Sequence, residues 1–218
     1  MKNILITGGS KGIGFETVKL LSDKYKFYVI SRNIDLLSSI SSENVEHISF
    51  DLSKKENYHL LDELLKDKQI DVLINNIGGG PHSKIQNITV EKADESINLN
   101  LFANIYITSI ISKQMIKQQK GLIINMSSVH GLTGNPNSSL YSAGKFALRG
   151  FSESLFYELK KHNIKVTTIY PDVTNTDLIP KNILNRDKMI QPEHIANVIQ
   201  NIIDMSEYIT IKEIVLHS

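Results

Sequence analysis

Tyr141-Ser142-Ala143-Gly144-Lys145 carries a phenol and an ammonium four residues apart, and Ser128 stands thirteen residues before the tyrosine. Residues four apart on a helix share a face, so a helix through this stretch sets the lysine charge beside the phenol. A phenol ionises near pH ~10 in water, and a neighbouring cation favours the phenolate and lowers that value. Such a tyrosine can give a proton to an alkoxide forming from a carbonyl, or take one from an alcohol. A serine hydroxyl at the end of a strand can hold the same oxygen. Each feature also has a plain explanation, since Tyr and Lys so spaced often form a surface pair and a strand-end serine often caps a helix.

A second motif near the start of the chain changes that balance. The apolar Ile4-Leu5-Ile6 runs into Thr7-Gly8-Gly9-Ser10-Lys11-Gly12-Ile13-Gly14, and a helix-like stretch follows over 15–21. Glycines let the backbone turn tightly and approach a pyrophosphate closely, and a helix N-terminus adds free N–H groups and a positive dipole end. Strand, glycine loop and helix in that order predict nucleotide binding.

The elements that must position these groups alternate along the chain. Short apolar runs predict strands near 3–7, 27–31, 46–50, 71–75, 121–127, 165–170 and 210–216, with helical stretches between them. Ile4-Leu5-Ile6, Val72-Leu73-Ile74 and Leu122-Ile123-Ile124 are apolar throughout, as strands covered on both faces should be. The expected architecture is α/β: a doubly wound parallel sheet of about seven strands with helices on both faces, in a single domain over residues 1–218. Ligands in such sheets bind outside the carboxyl ends of the strands.

With its spacing T-G-x-x-x-G-x-G, the glycine octet resembles the cofactor loop of the short-chain dehydrogenase/reductase family. Asn75-Asn76-Ile77-Gly78 is similar to the family's N-N-A-G, Asn125-Met126-Ser127-Ser128 to its strand ending in the catalytic serine, and Tyr141 to Lys145 to its Y-x-x-x-K. The resemblance covers nearly the whole chain, from Ile4 to Leu216. It implies a Rossmann-type fold and a catalytic group of Ser128, Tyr141, Lys145 and Asn100, with Asn98 as the competing asparagine. About 200° of helix rotation separates those two, so both cannot face the site. It further implies nucleotide contacts from Gly8, Ser10, Lys11, Gly12, Ile13, Gly14, Asp51, Leu52, Asn76, Gly78, Tyr141, Lys145, Pro171 and Thr176. Carbonyl or alcohol oxidoreduction is the implied activity. Epimerisation of sugar nucleotides and a non-catalytic nucleotide sensor or scaffold are the alternatives.

The choice of cofactor turns on the end of the second strand, Val29-Ile30-Ser31-Arg32-Asn33. NAD binders place an acidic residue about 20 residues beyond the glycines, and Asp35 is near that count. The apolar run stops at Ile30, however, which puts Ser31 and Arg32 at the strand end and Asp35 on the following helix. Arg32 can grip a 2′-phosphate bidentately and Lys11 adds a second charge, so NADP(H) is expected.

Two departures and one ambiguous residue complete the site. Pro171-Asp172 stands where the family has Pro-Gly, bringing a negative charge toward the cleft mouth. The substrate-covering segment, 175–191, is short and carries Leu178, Ile179, Ile183, Leu184 and Met189, which suit either an apolar substrate or packing. His130 reads more readily as a solvated loop histidine than as a cleft residue.

Composition narrows the remaining classes. Lys plus Arg number 24 against 23 Asp plus Glu, which provides no field for nucleic acid or an anionic membrane. There is no cysteine, which removes disulfides and thiolate chemistry and suits the cytoplasm. No run approaches a membrane span, and no histidine spacing suggests a metal. A second apolar group on the helix after Tyr141, Phe146 and Tyr157 with the small Gly150 and Ser154, points away from the Leu148, Phe151, Leu155 and Leu159 stripe. It suggests a homodimer or homotetramer.

Overall fold

The computed structural model describes every residue except Asp35, Ser41, Pro81, His82, Pro180, Lys181 and Leu184. Seven strands form one sheet: β1 (Asn3–Thr7), β2 (Lys26–Ser31), β3 (Val45–Ser49), β4 (Val72–Asn75), β5 (Gly121–Met126), β6 (Ile164–Pro171) and β7 (Glu213–Leu216). All neighbours pair in parallel, in the order β3-β2-β1-β4-β5-β6-β7. Each strand coincides with one of the seven apolar runs.

Among the described residues six α-helices cover the two faces: α1 (Gly12–Leu21), α2 (His59–Leu65), α3 (Val90–Ile97), α4 (Ala103–Gln118), α5 (Ser139–Leu159) and α6 (Pro192–Asp204). Leu5, Leu73 and Ile123 point to one face and pack with Ile107 and Ile111 of α4 and Leu155 and Leu159 of α5. Ile4, Ile6, Val72, Ile74 and Ile124 point to the other, against Val18 and Leu21 of α1 and Ile195 and Ile199 of α6. This alternation is the period-2 geometry of a strand with both faces dry. Among the described residues no helix is long and apolar enough to cross a membrane.

Beneath the carboxyl ends of β4 and β5 lies a buried polar network. Asn75 Nδ2 donates to Asn125 Oδ1 and Thr108 Oγ1, both at 2.8 Å, and Asn125 Nδ2 donates to Ser152 Oγ at 2.8 Å. It ties two central strands to α4 and α5, where an apolar contact would fix no direction.

α1 starts at Gly12, three residues earlier than the helix-like run over 15–21 suggested. The first turn is glycine-rich and carries no apolar periodicity of its own. Between α3 and α4 the chain forms a π-helical turn, Asn98–Phe102, where the sequence suggested plain helix. On α5 the leucines of the predicted stripe are buried, while Phe146 (42% exposed) and Tyr157 (64%) face outward with Gly150 and Ser154.

Candidate active site

A cleft of about 560 Å³ opens at the carboxyl ends of the strands, on the side of the sheet edge predicted to bind ligand. Its wall runs from the glycine loop past Arg32 and Asp51 to Asn76 and Gly78, then to Ser128, Tyr141, Pro171 and Thr176. The residues singled out from sequence therefore converge, although they come from loops after six different strands.

The glycine loop is as compact as its composition requires. Gly8 has φ +67°, a left-handed conformation that glycine adopts without strain, and a Cβ at Gly14 would lie 2.5 Å from Gly8 O and 2.7 Å from Asn76 Nδ2. Asn76 locks the loop to β4 by donating to Thr7 O at 3.0 Å and Gly8 O at 3.2 Å. Among the described residues no side chain caps the N-terminus of α1. A bare helix end beside close-packed glycine backbone suits an anion such as a pyrophosphate.

Ser128 follows β5 and Tyr141 opens α5, and their side chains hydrogen-bond. Ser128 Oγ accepts from the His130 backbone N–H at 3.2 Å and donates weakly to Pro171 O at 3.4 Å. Lys145, one turn beyond Tyr141, is 3% exposed. Its Nζ donates to Met126 O at 2.8 Å and stands 5.7 Å from the centre of the Tyr141 ring. The spacing of four thus places both groups on one face, as expected.

The electrostatics differ from the sequence expectation. Burial pushes the Tyr141 phenol above its ordinary value, and the bond with Ser128 only partly offsets this. Burial also brings Lys145 down to about 8. Desolvation disfavours the charged form of each, so it outweighs the attraction read from spacing alone.

The π-helical turn separates the two candidate asparagines. Asn100 is fully buried, accepts from Gly79 N at 3.0 Å, and donates to Gly79 O at 2.6 Å and Ser96 O at 2.9 Å. Its Oδ1 and Lys145 Nζ converge on Gly78, where an added Cβ would lie 2.9 and 2.8 Å from them. Asn98 turns away toward the third strand's loop, donating to Leu52 O and Ser53 O and accepting from Tyr58 Oη at 3.0 Å. Asn100 therefore sits directly behind the cleft wall and Asn98 props the Asp51-Leu52 loop.

Several other residues take clearer positions. His130 is half-buried in the cleft wall, edge-on to the Tyr141 ring at 5.4 Å between centroids, where the sequence favoured a solvated loop. Asp172 lines the cleft without left-handed backbone, and its carboxylate accepts from Val173 N at 2.8 Å and lies 3.3 Å from His217 Nδ1. The negative charge is thus partly engaged. Thr176 Cγ2 is 3.1 Å from where a Cβ on Gly12 would be, and Leu178 reaches Gly79 equally closely, so the 174–179 stretch crosses the cleft. Leu178 and Ile179 line it, while Ile183 is exposed. Leu184 and Asp35 lie outside the described residues. Sequence reasoning passed over Gly79, Glu95 and Leu99, all in the wall. Only Gly79 had a signal, as the middle of a glycine run.

Comparison with known proteins bears on what this arrangement belongs to. The family profile described as short chain dehydrogenase matches residues 2–186. This chain is a short-chain dehydrogenase. It is 34% identical to carbonyl reductase family member 4 of Xenopus laevis over 94% of this chain and 92% of that one. Among solved structures, this dehydrogenase superposes on 4-hydroxyisoleucine dehydrogenase complexed with NADH with a TM-score of 0.91 at 26% identity, covering 99% of this chain and 97% of that one. ElxO with NADP bound gives 0.84 at 26% identity, covering 98% and 97%.

The burial of Lys145 has a measurable consequence for the dehydrogenase. Its ammonium titrates near 8 in the folded chain against 10.5 when solvated, so between those values the unfolded chain holds a proton that the folded chain has lost. Stability contributed by this group therefore rises with pH across that window. Urea midpoints of the unmodified chain should climb from pH 8 to 10 relative to Lys145→Met. Parallel curves for the two proteins would show that the lysine is not desolvated.

Proposed function

We propose that this short-chain dehydrogenase is an NADP(H)-dependent oxidoreductase that interconverts a carbonyl and an alcohol, with Tyr141 exchanging the proton. The observation that carries this reading is the meeting of Ser128 and Tyr141, hydrogen-bonded side by side, with buried Lys145 behind them, in a cleft continuous with the glycine loop. A binding-only sensor has no need of a buried lysine under a tyrosine, whose desolvation costs stability.

Gly8, Ser10, Lys11, Gly12, Ile13 and Gly14 would hold the pyrophosphate, Asp51 and Leu52 the adenine, and Asn76, Gly78, Lys145, Pro171 and Thr176 the nicotinamide end. The nicotinamide, when bound, supplies or accepts the hydride. Ser128 and Tyr141 both line the cleft, so a substrate oxygen bound between their hydroxyls would draw a hydrogen bond from each. Tyr141 gives its proton as charge builds on that oxygen. A phenol held above its ordinary value stays protonated until then, and the ammonium of Lys145 stabilises the phenolate left behind. Asn100 grips both backbone groups of Gly79 and so holds the loop against which the lysine packs.

The preference for NADP(H) rests on the outer end of the cleft. Arg32 and Lys11 are both exposed and both line it. Asp51, the acid opposite, is raised by burial but held below its ordinary value by bonds from Ser53 and by the charges of Arg32 and Lys54. Two cations at the lip suit an added phosphate better than a bare ribose. Phe146, Gly150, Ser154 and Tyr157 are exposed, and among the described residues nothing lies within 4 Å of a Cβ built on Gly150. A second copy packing on this face makes the protein a homodimer or, through a further interface, a homotetramer. A chain without cysteine suits the reducing cytoplasm, which supports a cytoplasmic reading.

Three measurements test these readings. In a panel of ketones, aldehydes and alcohols followed by NADPH absorbance, Tyr141→Phe should abolish turnover while leaving NADPH affinity and melting temperature near those of the parent. Ser128→Ala should lose roughly 10² to 10³ in rate, as other oxyanion donors do. A Tyr141→Phe rate within about tenfold of the parent, ~1.4 kcal/mol of barrier, would rule out the tyrosine as proton carrier. Catalytic efficiency should favour NADPH over NADH strongly, and Arg32→Ala should erase the difference. Equal efficiency in the unmodified protein would sink the cofactor assignment. Light scattering should return at least twice the monomer mass, against the monomer expected if the α5 face is simply solvated.

A further inference from the structure

We propose that His47 is a positioning residue for recognition of the cofactor's 2′-phosphate, acting through Ser31 on Arg32. The inference rests on the reading that Arg32 meets that phosphate, and extends it to a residue that does not line the cleft.

His47 lies on β3, the edge strand, half-buried and beside the end of β2. Val29 is its partner in the ladder, and Ser31, two residues on, projects from the same face of the sheet. His47 Nε2 is 2.9 Å from Ser31 Oγ and 3.2 Å from Ser31 O. A carbonyl oxygen only accepts, so Nε2 carries a hydrogen and donates to it. Ser31 Oγ in turn donates to Asn33 O at 2.8 Å. The hydroxyl hydrogen is thereby used, so the same Nε2–H is also the donor to Ser31 Oγ.

The consequence falls on the residue in between. Ser31 ends the strand and Asn33 starts the loop, and the bond from one to the other closes a small ring around Arg32. Phe50 N holds Ser31 O at 3.1 Å from the β3 side. Arg32 has an exposed side chain but a backbone pinned on both flanks, and its direction of departure from the sheet is set before any ligand arrives. Among the described residues, the His47 imidazole is the side chain that bonds the Ser31 hydroxyl, and by donating to it leaves the hydroxyl hydrogen for Asn33 O. Without it the serine can rotate, the ring opens and the arginine must be ordered at the expense of binding energy. A contact to the unphosphorylated ribose or the adenine does not pass through Arg32, so its strength stays the same.

The test uses calorimetric titration of the full chain with 2′,5′-ADP and, separately, with 5′-ADP. His47→Phe fills the space but removes the donor; His47→Gln restores an N–H at about the reach of Nε2. His47→Phe should bind 2′,5′-ADP roughly three- to tenfold more weakly and 5′-ADP within about twofold of the parent, with His47→Gln recovering most of the loss, as expected of one net hydrogen bond. Ser31→Ala should reproduce the selective loss, and adding it to His47→Phe should bring no further loss, which keeps the test available if His47→Phe folds poorly. An equal loss for both ligands, no loss, a His47→Gln as weak as His47→Phe, or additive losses in the double variant each overturn the inference. A parent that binds the two ligands equally overturns the NADP(H) reading and this inference with it, and is told apart by the parent measurement alone.

Discussion

A parallel strand cannot be reached from its neighbour by a tight turn, so every connection in this sheet crosses a face and buries it. The chain starts in the middle, at β1, winds outward through β2 to β3, then returns to β4 on the other side and winds outward again. Loops leaving the carboxyl ends of β1 and β4 must therefore part in opposite directions, and the gap between them is the cleft. Its shape follows from strand order and chain direction, before any particular side chain is considered. The glycine loop, the Asn76 bridge and the Gly78 turn all stand at that parting, which is why Asn76 can bond across it to the first loop.

The same burial that stabilises the sheet determines the chemistry at the cleft floor. Lys145 is held dry by α5, the end of β5 and the Gly78 turn, its ammonium donating to the Met126 carbonyl and, among the described residues, forming no salt bridge. A lysine so placed loses much of its preference for the charged state, and the phenol above it gains preference for the neutral one. The lysine shift moves its titration toward neutrality and the phenol shift moves its own away from it, so of the two groups the ammonium is the one whose proton is loosened. The Asn75-Asn125-Ser152 network beneath them gives α5 a fixed azimuth on the sheet, so the pair does not depend on apolar packing alone for its orientation.

The outer end of the cleft works on different terms. Arg32, Lys11 and Asp51 are near solvent, where charges are screened and geometry counts for more than field strength. Backbone restraint at the end of β2 and the Asn98-Tyr58 prop under the Asp51-Leu52 loop provide that geometry. The covering stretch adds a third element, since Thr176 and Leu178 already reach the glycines on either side of the cleft.

Much of this was legible in order along the chain. Buried parallel strands read as unbroken apolar runs, a phosphate loop reads as glycines between strand and helix, and a shared helix face reads as a spacing of four. These are local rules, and each of the seven strands, the glycine loop and the Tyr141-Lys145 pair obeyed them. What needed the tertiary structure was relational. Asn98 and Asn100 differ only in which way a π-helical turn rotates them, and no periodicity marks that turn. Whether His130 meets water or the Tyr141 ring depends on where the loop after β5 folds back. His47 has no partner within reach in sequence, and finds Ser31 only because β3 pairs with β2 in one register. The sign of the Tyr141 shift was misjudged for the same reason: spacing reveals which charge is near, but the loss of water around both groups is a property of everything packed over them.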